Sequence, residues 1–270
     1  MKNMEKFILR LFERINTLIK IIKTYKNFPA YFINRLGFYK RPTLTLFLRN
    51  GIRYKIRNRN ITTADYYVIN ESWIHKIHNG AKKYIKDGSL VIDIGAHIGA
   101  FSIFAASQAK NVKILSLEPV VENFELLKTN IQINNFNKCI KPIKMAVAGA
   151  TGKKKIFLDE KDSGKHTFYP KIIPESRFRE VGCLSLSEIF DSYKINQCDV
   201  LKMDCEGAEY EILYNTSPQY FQKIRCLSIE YHDNGIDNIN ELKIFLENNG
   251  FNISRPKDNF GVIFAENIKN

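Results

Sequence analysis

The chain has 270 residues, enough for one large α/β domain with additions, and 44% of them are hydrophobic, an ordinary fraction for a folded protein. Its formal charge of +13 is unevenly placed: residues 1–59 hold 15 Lys/Arg against two acids, and the remainder is balanced with 26 of each sign. Five cysteines, odd in number and without a Cys-x-x-Cys pair, argue against a disulfide framework or a zinc cluster, and are read as reduced thiols of a cytoplasmic protein.

Met4, Phe7, Ile8, Leu11, Phe12, Ile15, Leu18, Ile19 and Ile22 recur at helical spacing, with Lys6, Arg10, Arg14, Lys20 and Lys23 between them. The pattern predicts a basic amphipathic helix. Charges interrupt each apolar run, so the segment is expected to be neither a secretory signal nor a bilayer span. Three occupants remain open for the apolar face: the chain's own core or a second subunit, an anionic membrane surface met by residues 1–27, or nucleic acid. Phe28-Pro29 is expected to end the helical region, and residues 1–42 are read as an extension ahead of a domain at 43–270.

Two alternating runs, Thr43–Arg49 and Ile52–Arg57, flank Asn50-Gly51, a strong signal for a tight hairpin within residues 43–58. A helical stretch is expected around Asp65–Ile85, opening a core that runs from about residue 60 to 270. The run Val91-Ile-Asp-Ile-Gly-Ala-His-Ile-Gly99 then reads as strand, glycine turn and the start of helix Ala100–Ala106. Strands follow at Val112–Leu117, Lys144–Ala148 and Lys154–Leu158, and an irregular segment reaches Val181. Helix Val121–Asn134 lies between the first two of these strands. Beyond Val181 the order is helix Ser185–Tyr193, strand Asp199–Asp204, a helix near Ser217–Phe221, strand Cys226–Tyr231 and helix Ile239–Asn249. A closing pair at Phe251–Ile253 and Val262–Ala265 fits an antiparallel edge hairpin. The alternation predicts an α/β fold with a mostly parallel sheet, helices on both faces, and ligands at the carboxyl ends of the strands.

The turn at 95–99 separates two cofactor classes. A dinucleotide loop needs Gly-x-Gly-x-x-Gly, whereas this one is Gly-x-x-x-Gly with His97 in the middle and Asp93 two residues before Gly95. Asp93 would meet a pyrophosphate badly and a sulfonium cofactor bearing an ammonium group well. Glu118, at the end of the next strand, is placed to accept both ribose hydroxyls of an adenosine. A second constellation lies in Val200-Leu-Lys-Met-Asp-Cys-Glu-Gly-Ala-Glu209, where Lys202, Asp204 and Glu206 are read as alternating on one face of a buried strand. Buried charges need a partner or a use. A Lys202–acid pair bracing the sheet is one reading; with Glu230 and His232 on the neighbouring strand, an acid–base or metal site is the other.

These motifs, with Leu117-Glu118-Pro119, Asn123-Phe124, Leu127 and Ser185-Leu-Ser-Glu-Ile189, resemble the FkbM family of S-adenosylmethionine-dependent methyltransferases over roughly residues 88–250. Arg57 and Asp65 ahead of the core resemble members found among sugar and polysaccharide genes. His97 stands where the family often has asparagine, and Ser187 where it often has an acid. The resemblance implies a class I methyltransferase fold and O-methylation of a sugar, nucleotide sugar or surface-polysaccharide unit. It puts the cofactor over Asp93, Gly95, His97 and Gly99, its ribose on Glu118, and its adenine against the backbone around Val147. The acceptor's proton would go to Asp204 or His232, with Glu206 and Glu230 orienting the base. A divalent cation on Asp204, Glu230 and His232 is the rival arrangement. Glu230, Lys165 and His166 are candidate substrate contacts. An RNA methyltransferase using the basic arm is the alternative function, disfavoured because Asp204 and Glu206 would repel phosphate.

Overall fold

The computed structural model describes residues 2–159, 163–169, 177–232, 236–254 and 261–268, with side chains from residue 11 onward. Helix α1 (Lys2–Thr24) is followed by α2 (Phe28–Arg35), the hairpin β1 (Thr43–Phe47) and β2 (Arg53–Arg57), α3 (Ala64–Asn70), a π-helical turn at Glu71–His75, and α4 (Asn79–Lys82). Next come β3 (Leu90–Ile94), α5 (Ala100–Ala106), β4 (Lys113–Leu117), α6 (Val121–Ile133), β5 (Ile140–Ile143), β6 (Ala146–Val147), β7 (Gly152–Phe157) and β8 (Phe178–Leu184). The chain continues through α7 (Leu186–Ser192), β9 (Val200–Met203), α8 (Glu209–Tyr214), α9 (Pro218–Phe221), β10 (Cys226–Glu230), α10 (Ile239–Asn248), β11 (Phe251–Ser254) and β12 (Val262–Asn267).

Among the described residues, seven strands form the central sheet in the order β11-β12-β10-β9-β3-β4-β5. The five from β10 to β5 are parallel. β12 runs antiparallel to both β10 and β11, the expected edge hairpin. One face of the sheet packs Val91, Ile114 and Val200 against α5, α6 and the β1–β2 hairpin. The other packs Ile92, Leu115, Leu201 and Leu227 against α7, α8 and α10. Strand order reverses between β3 and β9, so their carboxyl ends, at Ile94 and Met203, flank the crevice where ligands of such sheets sit.

The hairpin docks through its backbone. Asn130 on α6 accepts from the Lys55 amide at 2.7 Å and donates to the carbonyls of Lys55 and Ile98. One turn on, Asn134 bonds both the amide and the carbonyl of Arg53. Two asparagines thus satisfy an edge that would otherwise be left unpaired. Ile21, Tyr25, Leu46 and Tyr54 share one core cluster with Phe101 and Phe264, so no break in packing falls at residue 42.

Four local expectations are corrected. Pro29 does not terminate the helical region; it sits in the first turn of α2, where a missing amide costs nothing. The strand expected at 144–148 shrinks to β6 at Ala146–Val147, and the sheet strand after α6 is β5 at 140–143, which the expectation missed, with Pro142 tolerated because β5 is a sheet edge. The segment read as irregular up to Val181 contains most of β8, which joins β6 and β7 in a separate three-stranded sheet. The long helical stretch from Asp65 is broken into α3, the π-turn and α4, with Lys76 in the left-handed region between the last two.

Candidate active site

A cavity of about 450 Å³ opens at the carboxyl ends of β3, β4, β9 and β10. Its wall brings together most of the residues singled out in the sequence: Gly95, His97, Glu118, Val147, Lys165, His166, Asp204, Glu206 and Glu230. His232 stands beside them, its Nε2 within 4.0 Å of Asp204 and Glu206. Asp93 and Gly99 do not line it.

The glycine turn is shaped by protein contacts. Gly95 has φ +72°, and a Cβ there would lie 1.8 Å from the carbonyl oxygen of Asp204, so no other residue lets the two loops approach. A Cβ on Gly99 would press to 2.6 Å from Leu127 on α6. The amides of Gly95 and Ala96 both bond the Leu117 carbonyl, fixing the turn against β4. Glu118 is buried with its oxygens spoken for at the back: one accepts from the His97 amide at 2.8 Å, the other from the Val120 amide at 2.9 Å. Burial pushes its carboxyl up to about 7, against these hydrogen bonds. The apolar wall beside it is Leu117, Val147, Ile156 and Phe168.

Asp93 is corrected from a cofactor contact to a counter-ion. It is fully buried; one oxygen accepts from Ser102, and the other lies 3.3 Å from the Lys202 ammonium. Lys202 also bonds the Gly95 carbonyl at 3.0 Å and stands 3.5 Å from Asp204. Burial opposes its charge, yet Asp93, Asp204 and Glu230 hold its ammonium above the ordinary lysine range. The bracing reading is therefore satisfied by Lys202 and Asp93. Asp204 remains at the cavity wall, kept ionised by Lys202 and His232 against its own burial.

Strand β9 ends at Met203, so Asp204 and Glu206 do not continue its alternation. Glu206 lies in a turn with φ 52°, and its carbonyl accepts from Thr167 at 2.6 Å. Glu209, fully buried at the start of α8, closes that turn by accepting from the amides of Cys205 and Gly207. The same carboxylate reaches Nδ1 of His232 at 3.2 Å. Nε2 of His232 then lies 3.7 Å from Glu206 and 4.0 Å from Asp204. Burial lowers the imidazole's affinity for a proton, but Glu209, Asp204 and Glu206 outweigh it and lift His232 to about 10. A protonated imidazole is poorly suited to act as a base, whereas the carboxylate of Asp204 stays ionised, so of the two candidates the geometry leaves Asp204 the better placed to accept a proton. Cys205 lines the cavity as a thiol, its ionisation suppressed by burial and by Glu209.

Glu230 is pushed up to about 9 by burial and by the charges of Asp204 and Glu71. These surroundings favour its protonated form, which can donate a hydrogen bond. Glu71, which the sequence reading missed, enters the cavity from the π-turn; burial and Asp204 raise it to about 7. Single-turn π-bulges often mark functional positions, but periodicity gives no sign of one in advance.

Ser163, Gly164, Lys165, His166 and Phe168 of the segment 163–169 line the cavity. Ser163 bonds Arg57 at 2.9 Å and His97 at 3.1 Å, Thr167 ties down the Glu206 turn, and His166 accepts from the Asp159 amide. His97 and His166 are each lowered to about 4, chiefly by burial. Arg57 in turn holds Asp65 and the Asn123 side chain, so the hairpin, the glycine turn and the segment 163–169 are one polar cluster. Among the described residues, Asp204, Glu230 and His232 could together hold a metal ion, their donor atoms lying within 4.8 Å of one another. The Glu209–His232 bond would orient such a ligand.

Residues 93–253 match the methyltransferase FkbM domain family. Methyltransferase sdnD of Sordaria araneosa is 24% identical over 209 residues, covering 65% of this chain and 80% of the relative. The 31-O-demethyl-FK506 methyltransferase FkbM of Streptomyces tacrolimicus is 22% identical over 213 residues, 64% of this chain and 76% of its own. A solved methyltransferase FkbM from Methylobacillus flagellatus aligns at a TM-score of 0.46 and 16% identity, over 67% of this chain and 44% of that one. With the family matched across more than half of its length, the chain belongs to the methyltransferase FkbM domain family.

Proposed function

We propose that this methyltransferase uses S-adenosylmethionine to methylate a hydroxyl of a sugar, as a nucleotide sugar or a polysaccharide unit. The observation that carries the reading is that one cavity is lined by Glu118, by the apolar Leu117, Val147, Ile156 and Phe168, and by Asp204, Glu230 and Glu71. The residues fit the cofactor: Glu118 keeps acceptor capacity toward the cavity for a ribose diol, and Leu117, Val147, Ile156 and Phe168 suit the faces of an adenine. When bound, the cofactor supplies a methyl group activated by its sulfonium. The chain's own work is alignment and proton removal. Holding the acceptor oxygen in line within the cavity is worth ~7–11 kcal/mol in well-oriented reactions. The Asp204 carboxylate takes the hydroxyl proton, and the protonated Glu230 donates to a neighbouring oxygen. Several carboxyl groups along one wall suit an acceptor with adjacent hydroxyls, and they disfavour a phosphate backbone.

The metal trio supports a second reading. A divalent cation on Asp204, Glu230 and His232 would displace the imidazolium proton and lower the acceptor hydroxyl's pKa. The test of both is transfer of labelled methyl from S-adenosylmethionine to nucleotide sugars and lipid-linked glycans, with RNA as a counter-panel and each run repeated after chelation. Label on a sugar oxygen supports the proposal. Label confined to RNA or to an amine overturns it, and chelator-sensitive activity restored by Mg²⁺ or Mn²⁺ selects the metal arrangement.

A further inference from the structure

Among the described side chains, from residue 11 onward, the apolar face of α1 lies outside the core. Leu11, Phe12, Ile15, Leu18, Ile19 and Ile22 are all exposed, between 40% and 65%, whereas Ile21 and Tyr25 enter the core. At about 100° per residue those six side chains fall within an arc of about 120°, with Arg14 on one border and Lys23 on the other. The helix is held firmly at its carboxyl end. Arg49 bonds the carbonyls of Ile22 and Thr24, and the Tyr25 hydroxyl donates to Asn70 at 2.7 Å. Between Glu13 and Asp65 the sequence carries twelve Lys/Arg and no acid.

We propose that this face docks the protein on an anionic lipid bilayer, with α1 lying in the interface. A helix that pairs an apolar arc with bordering cations gains from both acyl chains and headgroup charge. A second copy of the same face would bring like charges together without an acidic complement. Nucleic acid would meet the cations and leave the apolar arc exposed. Among the described residues no helix is long and apolar enough to cross a membrane, so the contact is peripheral. None of the six residues lines the cavity, so docking is separable from catalysis.

The test is co-sedimentation of the full chain with vesicles of phosphatidylcholine alone and of phosphatidylcholine mixed with phosphatidylglycerol, at low and high salt. Binding to the mixed vesicles, weakened by salt, is expected. Ile15→Glu with Ile22→Glu should abolish it, and Arg14→Glu with Lys23→Glu should reduce partitioning at least about twentyfold, at about fivefold per cation. Both pairs should leave cofactor affinity and the far-ultraviolet circular dichroism unchanged. The proposal is overturned if the unaltered chain ignores both vesicle types. It is also overturned if the Ile15/Ile22 pair dissolves a dimer in light scattering without changing vesicle binding, or if the chain retains RNA and not vesicles.

Discussion

Glu209 holds His232 through a 3.2 Å contact to Nδ1 and, with Asp204 and Glu206, raises the imidazole's proton affinity against its burial. The same carboxylate closes the turn that carries Glu206. One buried acid therefore shapes the Glu206 turn and raises the proton affinity of the histidine beside Asp204.

Because the folded state raises His232 above its ordinary value of 6.5, the pair's contribution to stability is complete below that value and is lost as pH rises through about 10. Glu209→Gln should destabilise the protein most near pH 6, with the gap to the unaltered chain narrowing toward pH 10. Urea unfolding at several pH values measures this, and histidine NMR should show the imidazole titrating at lower pH in the variant. A gap that stays constant with pH would deny the imidazolium.

Asp204→Asn should preserve cofactor affinity and lower turnover by about 10²–10⁴, the range for loss of a general base. The comparison is calorimetry with S-adenosylhomocysteine beside single-turnover methyl transfer. Turnover near that of the unaltered chain would place the proton acceptor elsewhere, with Glu71 the next group to substitute.

Lys202 is nearly fully buried between Asp93 and Asp204. Lys202→Met leaves the Asp93 carboxylate buried with Ser102 as its remaining side-chain donor, a loss of the order of 3–5 kcal/mol. Thermal unfolding should fall by at least about 6 °C. Asp93→Asn should restore part of that loss in the double variant, whereas simple additivity of the two changes would contradict the pairing.

The elements that carry the chemistry were legible because each announces itself locally. The apolar run ending in Gly95, the acid closing β4, the Asn50-Gly51 turn and the edge hairpin all depend on patterns within a few residues. What escaped depends on distant contacts. The strand expected at 144–148 leaves out β5, whose Pro142 is tolerated only because β5 lies at a sheet edge. Asp93 looks like a ligand for a cofactor's ammonium until β9 delivers the Lys202 ammonium to it. Glu71 reaches the cavity through a π-turn that no periodicity foretells, and the charge of His232 is set by an acid 23 residues away.

The central claim is that Glu118 holds the cofactor's ribose at the head of this cavity, and calorimetry with S-adenosylhomocysteine tests it most directly. Since burial puts the Glu118 carboxyl near 7, affinity should strengthen from pH 6 to 8 as the acceptor ionises. Glu118→Ala should weaken binding by about 1.5–3 kcal/mol, the worth of hydrogen bonds to a charged group, and flatten that pH dependence. A folded Glu118→Ala protein with unchanged affinity, or an unaltered chain that prefers NAD, would contradict the account.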